Sequence, residues 1–312
     1  MRNARISSRF LAVSSLAIVF AATASEAFAG LVINPVFDAS ITTDANALAI
    51  ENNINSVIAL YQTKFTDNIT VKIYFQKGGG LGSSQWGYYF NNASVAINAI
   101  TADKKSADDN IAVSHLGTSV FGTVAFTSAN GRALGLNTPG FISAGASSDF
   151  DGIVSVNTGI CFLNHNSPQG GLFDLYSATA HEIDEVLGTG SGASSAQAFT
   201  TDLFRYDGGG NRSFTGDIGA HAYFSIDTTT RIVEYNQFGH NNGDWGDWAP
   251  NTPAQTQDWV INSGIKIDPG ESEFLLLDVI GYDRAAAVPE PASIIVLGLG
   301  ALGLVRRRST KK

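Results

Sequence analysis

Ser177-Ala178-Thr179-Ala180-His181-Glu182-Ile183-Asp184-Glu185-Val186-Leu187-Gly188 decides how this chain is read. The stretch has helical periodicity, Asp174 stands where an N-cap would, and Gly188 sits where helices often end. Residues four apart share one helix face, so His181 and Glu185 point the same way. Glu182 lies about 100° further round the helix, within reach of whatever those two side chains hold.

That pattern is H-E-x-x-E-x-x-G. It matches the zinc-protease helix H-E-x-x-H at every position except the second ligand, where a Glu replaces a His. The spacing serves a chemical purpose: two ligands one turn apart grip a metal ion, with a general base between them. Zinc acidifies a water, and Glu182 accepts its proton as the water attacks a peptide carbonyl. Zinc accepts carboxylate oxygen, so Glu185 is an admissible ligand. Its charge makes the water less acidic than a second imidazole would, and it opens the site to other divalent cations.

Both ends of the chain read as export signals. Arg2, Arg5 and Arg9 precede an apolar stretch from Phe10 to Ala22, and Ala27-Phe28-Ala29 offers a small-x-small cleavage pattern, so residues 1–29 are expected to be a signal peptide. At the other end, Val288-Pro289-Glu290-Pro291-Ala292-Ser293 leads into an apolar run ending at Val305 and then Arg306-Arg307-Arg308. The run from Ala292 to Val305 is 14 residues, whereas a full span needs about 20. Residues 288–312 resemble a PEP-CTERM sorting tail. The resemblance implies processing by an exosortase-type enzyme and a secreted, cell-envelope or extracellular-matrix location in a Gram-negative bacterium. Membrane contact is then expected only through the unprocessed tail.

Residues 30–287 remain as the folding body, 258 residues with a net charge of −15, more acidic than the −9 of the whole chain. Such a body argues against nucleic acid and anionic membrane as partners. Cys161 is the only cysteine and lies in an apolar context, so no internal disulfide forms and the thiol reads as a buried hydrophobe.

Helical spacing of Ile50, Ile54, Val57, Ile58 and Tyr61 predicts a helix from Asp44 to Phe65. Alternation at Ile69, Val71, Ile73 and Phe75 predicts a half-buried strand. Tyr88–Ile97 is expected to hold one or two strands, 131–148 loop or short strand pairs, and 153–157 a strand. A hairpin is expected across Thr228-Thr229-Thr230, and a last helix from Glu271 to Ile280 closed by Gly281. Helix and strand signals mix without regular alternation, which points to an α+β fold.

Further segments follow the motif in order: Asp202-Leu203-Phe204-Arg205-Tyr206, Tyr223-Phe224-Ser225-Ile226-Asp227, Gly243-Asp244-Trp245-Gly246-Asp247-Trp248 and Leu277-Asp278-Val279-Ile280-Gly281-Tyr282. From Asp151 onward the body resembles a family of secreted bacterial zincin-like proteins, many with PEP-CTERM tails, grouped as metalloproteases. The resemblance implies a metzincin-like catalytic domain, a secreted metal-dependent endopeptidase acting on peptide or protein, with Zn2+ on His181 and Glu185 and with Glu182 as base. A Glu at the second-ligand position recurs in that family. The metzincin third ligand would fall at Ser191, a poor ligand. His221, His240, Asp202, Glu234 and Glu271 are candidates by residue type, and the third ligand stays open at this level. The Leu277-Asp278-Val279 segment is expected to pass under the site without the usual Met.

Two competing readings carry no catalysis. One is a matrix or surface binding protein on a degenerate zincin scaffold. The other is a calcium-dependent sugar-binding module built on His240-Asn241-Asn242-Gly243-Asp244 and Asp247, although that segment lacks calcium-loop spacing. Asp184 reads as a surface charge of the helix or as a support for His181.

Overall fold

The computed structural model describes residues 30–117, 122–193, 195, 197–239 and 244–286. The expected signal segment and sorting tail, and His240, lie outside these residues.

The fold is α+β with mixed sheets. Strand β1 (Val32–Phe37) leads to helix α1 (Ala47–Lys64) and then to β2 (Thr70–Lys77). Ile50, Ile54, Val57, Ile58 and Tyr61 are all buried on α1, and Val71, Ile73 and Phe75 are buried on β2, as the two periodicities require. The helix starts later than its apolar pattern suggested. Asp44 accepts the backbone N–H of Asn46 at 2.6 Å and pairs with Lys77, so it stands in the turn ahead of α1.

Next come β3 (Gly82–Trp86), β4 (Tyr88–Asn92), α2 (Ala93–Asp103), α3 (Ala107–Leu116), β5 (Thr123–Thr127) and α4 (Ser128–Ala133). The strand expected over 88–97 therefore stops at Asn92, and the chain turns helical at once. A small hairpin pairs Ile142–Ala144 with Ser147–Phe150 before β6 (Gly152–Val156).

The main sheet has the order β1-β2-β6-β3. β1, β2 and β6 are parallel, with Val32 opposite Thr70 and Ile73 opposite Gly152. β3 closes the sheet antiparallel to β6, with Gly82 opposite Val156 and Trp86 opposite Gly152. A second sheet sets β5 between β4 and β7 (Ala198–Phe199). The expected hairpin forms as β8 (Tyr223–Phe224) against β9 (Val233–Glu234).

Helix α5 (Leu175–Asp184) carries the opening motif. Asp174 caps it by accepting the Tyr176 N–H at 3.1 Å. Tyr61 of α1 donates to the Ala180 carbonyl at 3.3 Å, and both helices share the central apolar cluster. The regular helix ends sooner than Leu187. A wider turn covers Glu185–Thr189 and is left through Gly188 at φ 132°. A Cβ there would stand 3.1 Å from the Cβ of Asn130, so conformation and space both demand glycine. Helix α6 (Glu271–Val279) follows in its expected place, and the segment after it passes under the motif's exit. The Tyr282 hydroxyl donates to the Leu187 carbonyl at 2.8 Å. Cys161 is buried and its thiol is pushed up to about 12 by that burial, which fits a packing role.

Candidate metal centre

Strand β3 runs beside the motif helix and meets it at alternate residues. A Cβ on Gly82 would stand 2.3 Å from Oε1 of Glu182, Ser84 Oγ donates to Glu185 Oε2 at 2.5 Å, and a Cβ on Gly190 would stand 2.8 Å from the Trp86 ring. The inward side of one edge strand thus touches Glu182, Glu185 and the exit turn in succession. His181 Nε2 lies 3.9 Å from Glu185 Oε1, the one-face geometry that their spacing predicted.

A third acid completes the group. Asp247 Oδ1 lies 3.4 Å from His181 Nε2, and one ligand atom from each of His181, Glu185 and Asp247 falls within 4.8 Å of the others. The loop carrying Asp247 is tied down from several sides. Asp247 gives its carbonyl to the Asn236 N–H at 2.8 Å, and Asp244 accepts the Gly246 N–H at 2.8 Å. Arg205, fully buried, donates to the Trp245 carbonyl at 2.7 Å. Gly246 packs so closely that a Cβ would stand 2.7 Å from the Thr189 carbonyl oxygen.

These residues fit a divalent cation. His181 Nδ1 donates to the Thr256 carbonyl at 3.0 Å, which turns Nε2 toward the acids and makes it the nitrogen whose lone pair a cation would take on loss of its proton. Asp247 Oδ1 is buried without a hydrogen-bond partner; at 3.4 Å, its contact with His181 is an ion pair. Tetrahedral ligands at about 2.0–2.2 Å from one zinc ion stand about 3.3–3.6 Å apart, so His181 and Asp247 already have that spacing and the wider pairs must close by up to about 1.5 Å. The charge balance leads to the same conclusion. Burial pushes Glu182 up to about 7 and Asp244 up to about 6, and it holds Glu185 well above the usual carboxylate range. Burial disfavours the His181 cation, but Asp247, Glu182 and Glu185 outweigh it and hold the imidazole well above its ordinary value. Three buried acids, Glu182, Glu185 and Asp247, with the more exposed Asp244 beside them, surround one imidazole, and a divalent cation would balance that charge.

Beside Glu182 and His181 opens a cavity of about 110 Å3, lined also by Leu81, Ser177, Thr256 and Trp259. A larger cleft of about 390 Å3, at Asp44, Lys77 and Asn157, contains none of the cluster's residues.

The structure brings His181, Glu182 and Glu185 together, but it places the described third-ligand candidates elsewhere. His221 pairs with Glu234 and stacks on Phe238 with ring centres 4.0 Å apart, so these two serve the β8–β9 hairpin. Glu271 pairs with Arg284 at an exposed position. Asp202 is buried but fully engaged: it accepts Ser191 Oγ at 2.5 Å, the Gly192 N–H at 3.0 Å and the Phe199 N–H at 2.8 Å. Ser191, standing where a metzincin histidine would, is thus part of the loop's own scaffold. Asp184 is not a surface charge. It is fully buried, burial raises it well above its ordinary value, and Tyr61, Glu273 and His181 are its titratable neighbours. Ser84 and Thr256 had no sequence signal. Asp244 and Asp247 stood in a conspicuous acidic, Trp-rich segment, but no spacing rule linked that segment to the helix.

Residues 287–309 match the PEP-CTERM protein-sorting motif. The tail therefore marks the chain as an exosortase substrate of the surface or exterior of a Gram-negative bacterium. No curated protein and no solved structure matches the chain. Among the described residues, no helix is long and apolar enough to cross a membrane.

Proposed function

We propose that this chain is an exported, metal-dependent endopeptidase of zincin type, in which His181, Glu185 and Asp247 hold a divalent cation such as zinc and Glu182 is the general base. One observation carries the reading: two ligands from one helix face and a third from a distant loop converge on one point, with Glu182 beside it in an open cleft. The edge of β3, which no further strand pairs among the described residues, borders the same cleft, and such an edge offers an extended polypeptide its backbone hydrogen bonds.

A cation bound there supplies Lewis acidity to a water and a carbonyl oxygen. The protein does the rest. Thr256 orients His181, Ser84 orients Glu185, and the Asp244–Trp248 loop presents Asp247. Glu182 takes a proton from the attacking water as its oxygen bonds to the peptide carbon. It then gives that proton to the departing amine nitrogen, so one amide bond is exchanged for an acid and an amine.

The purified protein is expected to cleave casein, to stop after chelation and recover with zinc, and to lose activity as Glu182→Gln while keeping its metal. An active Glu182→Gln protein would remove Glu182 from the mechanism. A second, non-catalytic reading is favoured by the ion pair of His181 with Asp247, which balances part of the site's charge without a cation. Under that reading, bound zinc stays below a tenth of an equivalent and EDTA leaves the melting temperature unchanged.

A further inference from the structure

The stretch Gly82-Ser83-Ser84-Gln85-Trp86-Gly87-Tyr88-Tyr89-Phe90-Asn91-Asn92 forms β3 and β4 in immediate succession, and each closes an edge of its sheet. Edge strands are commonly guarded by lysine, other charges or proline. This one contains no charged residue and no proline. Tyr88 and Phe90 also present their rings outward, 43% and 55% exposed.

These rings belong to a built face. Phe90 and Phe199 both stand opposite Ala125 of β5, one from each side, so the three share a sheet face. Tyr88 contacts Phe90 with ring centres 5.1 Å apart, Phe199 at 5.7 Å and Trp86 at 5.7 Å. Trp86 then packs against Gly190 at the exit of the motif helix, and Gly190 packs against Gly246 of the Asp247 loop. The aromatic face is therefore continuous with the metal centre.

We propose that this face is a subsite for apolar, above all aromatic, side chains of an extended polypeptide substrate, flanking the bond that is cut. The inference rests on the endopeptidase reading and adds a substrate preference to it. A polypeptide is the occupant that fits, because among the described residues neither edge has a further strand paired to it, and each offers backbone donors and acceptors at peptide spacing beside the rings. The rings meet edge to face with interplanar angles of 65–90°, so they present an uneven apolar surface and no flat platform for a sugar.

The test uses the full chain and fluorescein-labelled, quenched peptides of one scissile core, extended at either end by Phe-Ser-Phe or by Ser-Ser-Ser. The Phe extension at one end should lower KM about tenfold, the scale of burying one aromatic side chain. Tyr88→Thr/Phe90→Thr should abolish that gain and leave kcat, and KM for the Ser peptide, unchanged. Thr keeps strand propensity, and Phe90→Thr alone serves if the double variant misfolds. A Phe effect that is absent, or that survives in the variants, overturns the proposal. If neither peptide is cut, the endopeptidase reading fails, and anisotropy of the same peptides decides the inference. Tenfold weaker binding of the Phe peptide by the variants supports it, and equal binding overturns it. A native dimer that becomes monomeric in the variants would show that a second copy covers the face, and would also overturn it.

Discussion

Gly82 lies directly under Glu182, at a distance that leaves no room for a side chain: a Cβ there would stand 2.3 Å from Oε1 and 3.0 Å from Cδ of the carboxyl group. The edge strand of the main sheet therefore sets where the Glu182 carboxylate stands. Gly82→Ala should push the carboxylate aside without touching a ligand. We expect kcat to fall at least about tenfold, the lower range of general-base contributions. Bound metal, measured by plasma emission, should stay at the native level. Unchanged kcat would mean that Glu182 need not stand where it does.

Arg205 is the only cation inside the wall of the ligand loop among the described residues. It donates to the Trp245 carbonyl and, at 2.5 Å, to Gln237 Oε1, and its guanidinium lies 4.2 Å from the Tyr235 ring centre. Arg205→Met should cost about 2–4 kcal/mol in urea unfolding, because it orphans buried acceptors and a packed cation. Zinc affinity should fall with it, because Asp247 loses its frame. Arg205→Lys should rescue little, since an ammonium cannot replace the planar fork. Native zinc affinity in a folded Arg205→Met protein would separate Arg205 from the site.

Much of the architecture was legible in the sequence, and the candidate metal centre was legible in part. Periodicity is a local property, so α1, β2 and the motif helix appear in the order of their residues. The capping acid Asp174 and the left-handed Gly188 are local too, and both hold. Asp247 is a different case. Its approach to His181 depends on Arg205, Asn236 and the Gly246 contact, none of which leaves a spacing in the chain. β3 was hidden for a related reason: Gly82-Ser83-Ser84-Gln85 has no apolar alternation, because its inward side faces carboxylates, not core. The sequence offered Asp184 as a surface charge, because helical position alone does not reveal that α1 covers that side.

Away from the metal, a group of acids should make stability depend on pH. Burial pushes Asp67 up to about 7, Asp103 up to about 7 with Asp283 adding to it, and Asp278 up to about 7 with Asp109 adding to it. Below about pH 4 the folded and unfolded chains both hold these protons. Between about pH 4 and 7 the unfolded chain ionises first, so stability falls as pH rises and levels off above about 7. In EDTA, the melting temperature should therefore be higher at pH 5 than at pH 8. Asp103→Asn should raise it at pH 8 by about 2–4 °C, the shift that about 1 kcal/mol gives a domain of this size. A variant no more stable than native at pH 8 would remove Asp103 from the effect.

The central claim is that one cation is shared by the motif helix and the distant loop. Diffraction from zinc-soaked crystals at the zinc absorption edge tests it most directly. The account predicts a single strong anomalous peak at about 2.0–2.2 Å from His181 Nε2, a Glu185 oxygen and an Asp247 oxygen. A protein crystal with full zinc in solution and no peak between those three atoms, or a peak that leaves Asp247 out, would contradict it.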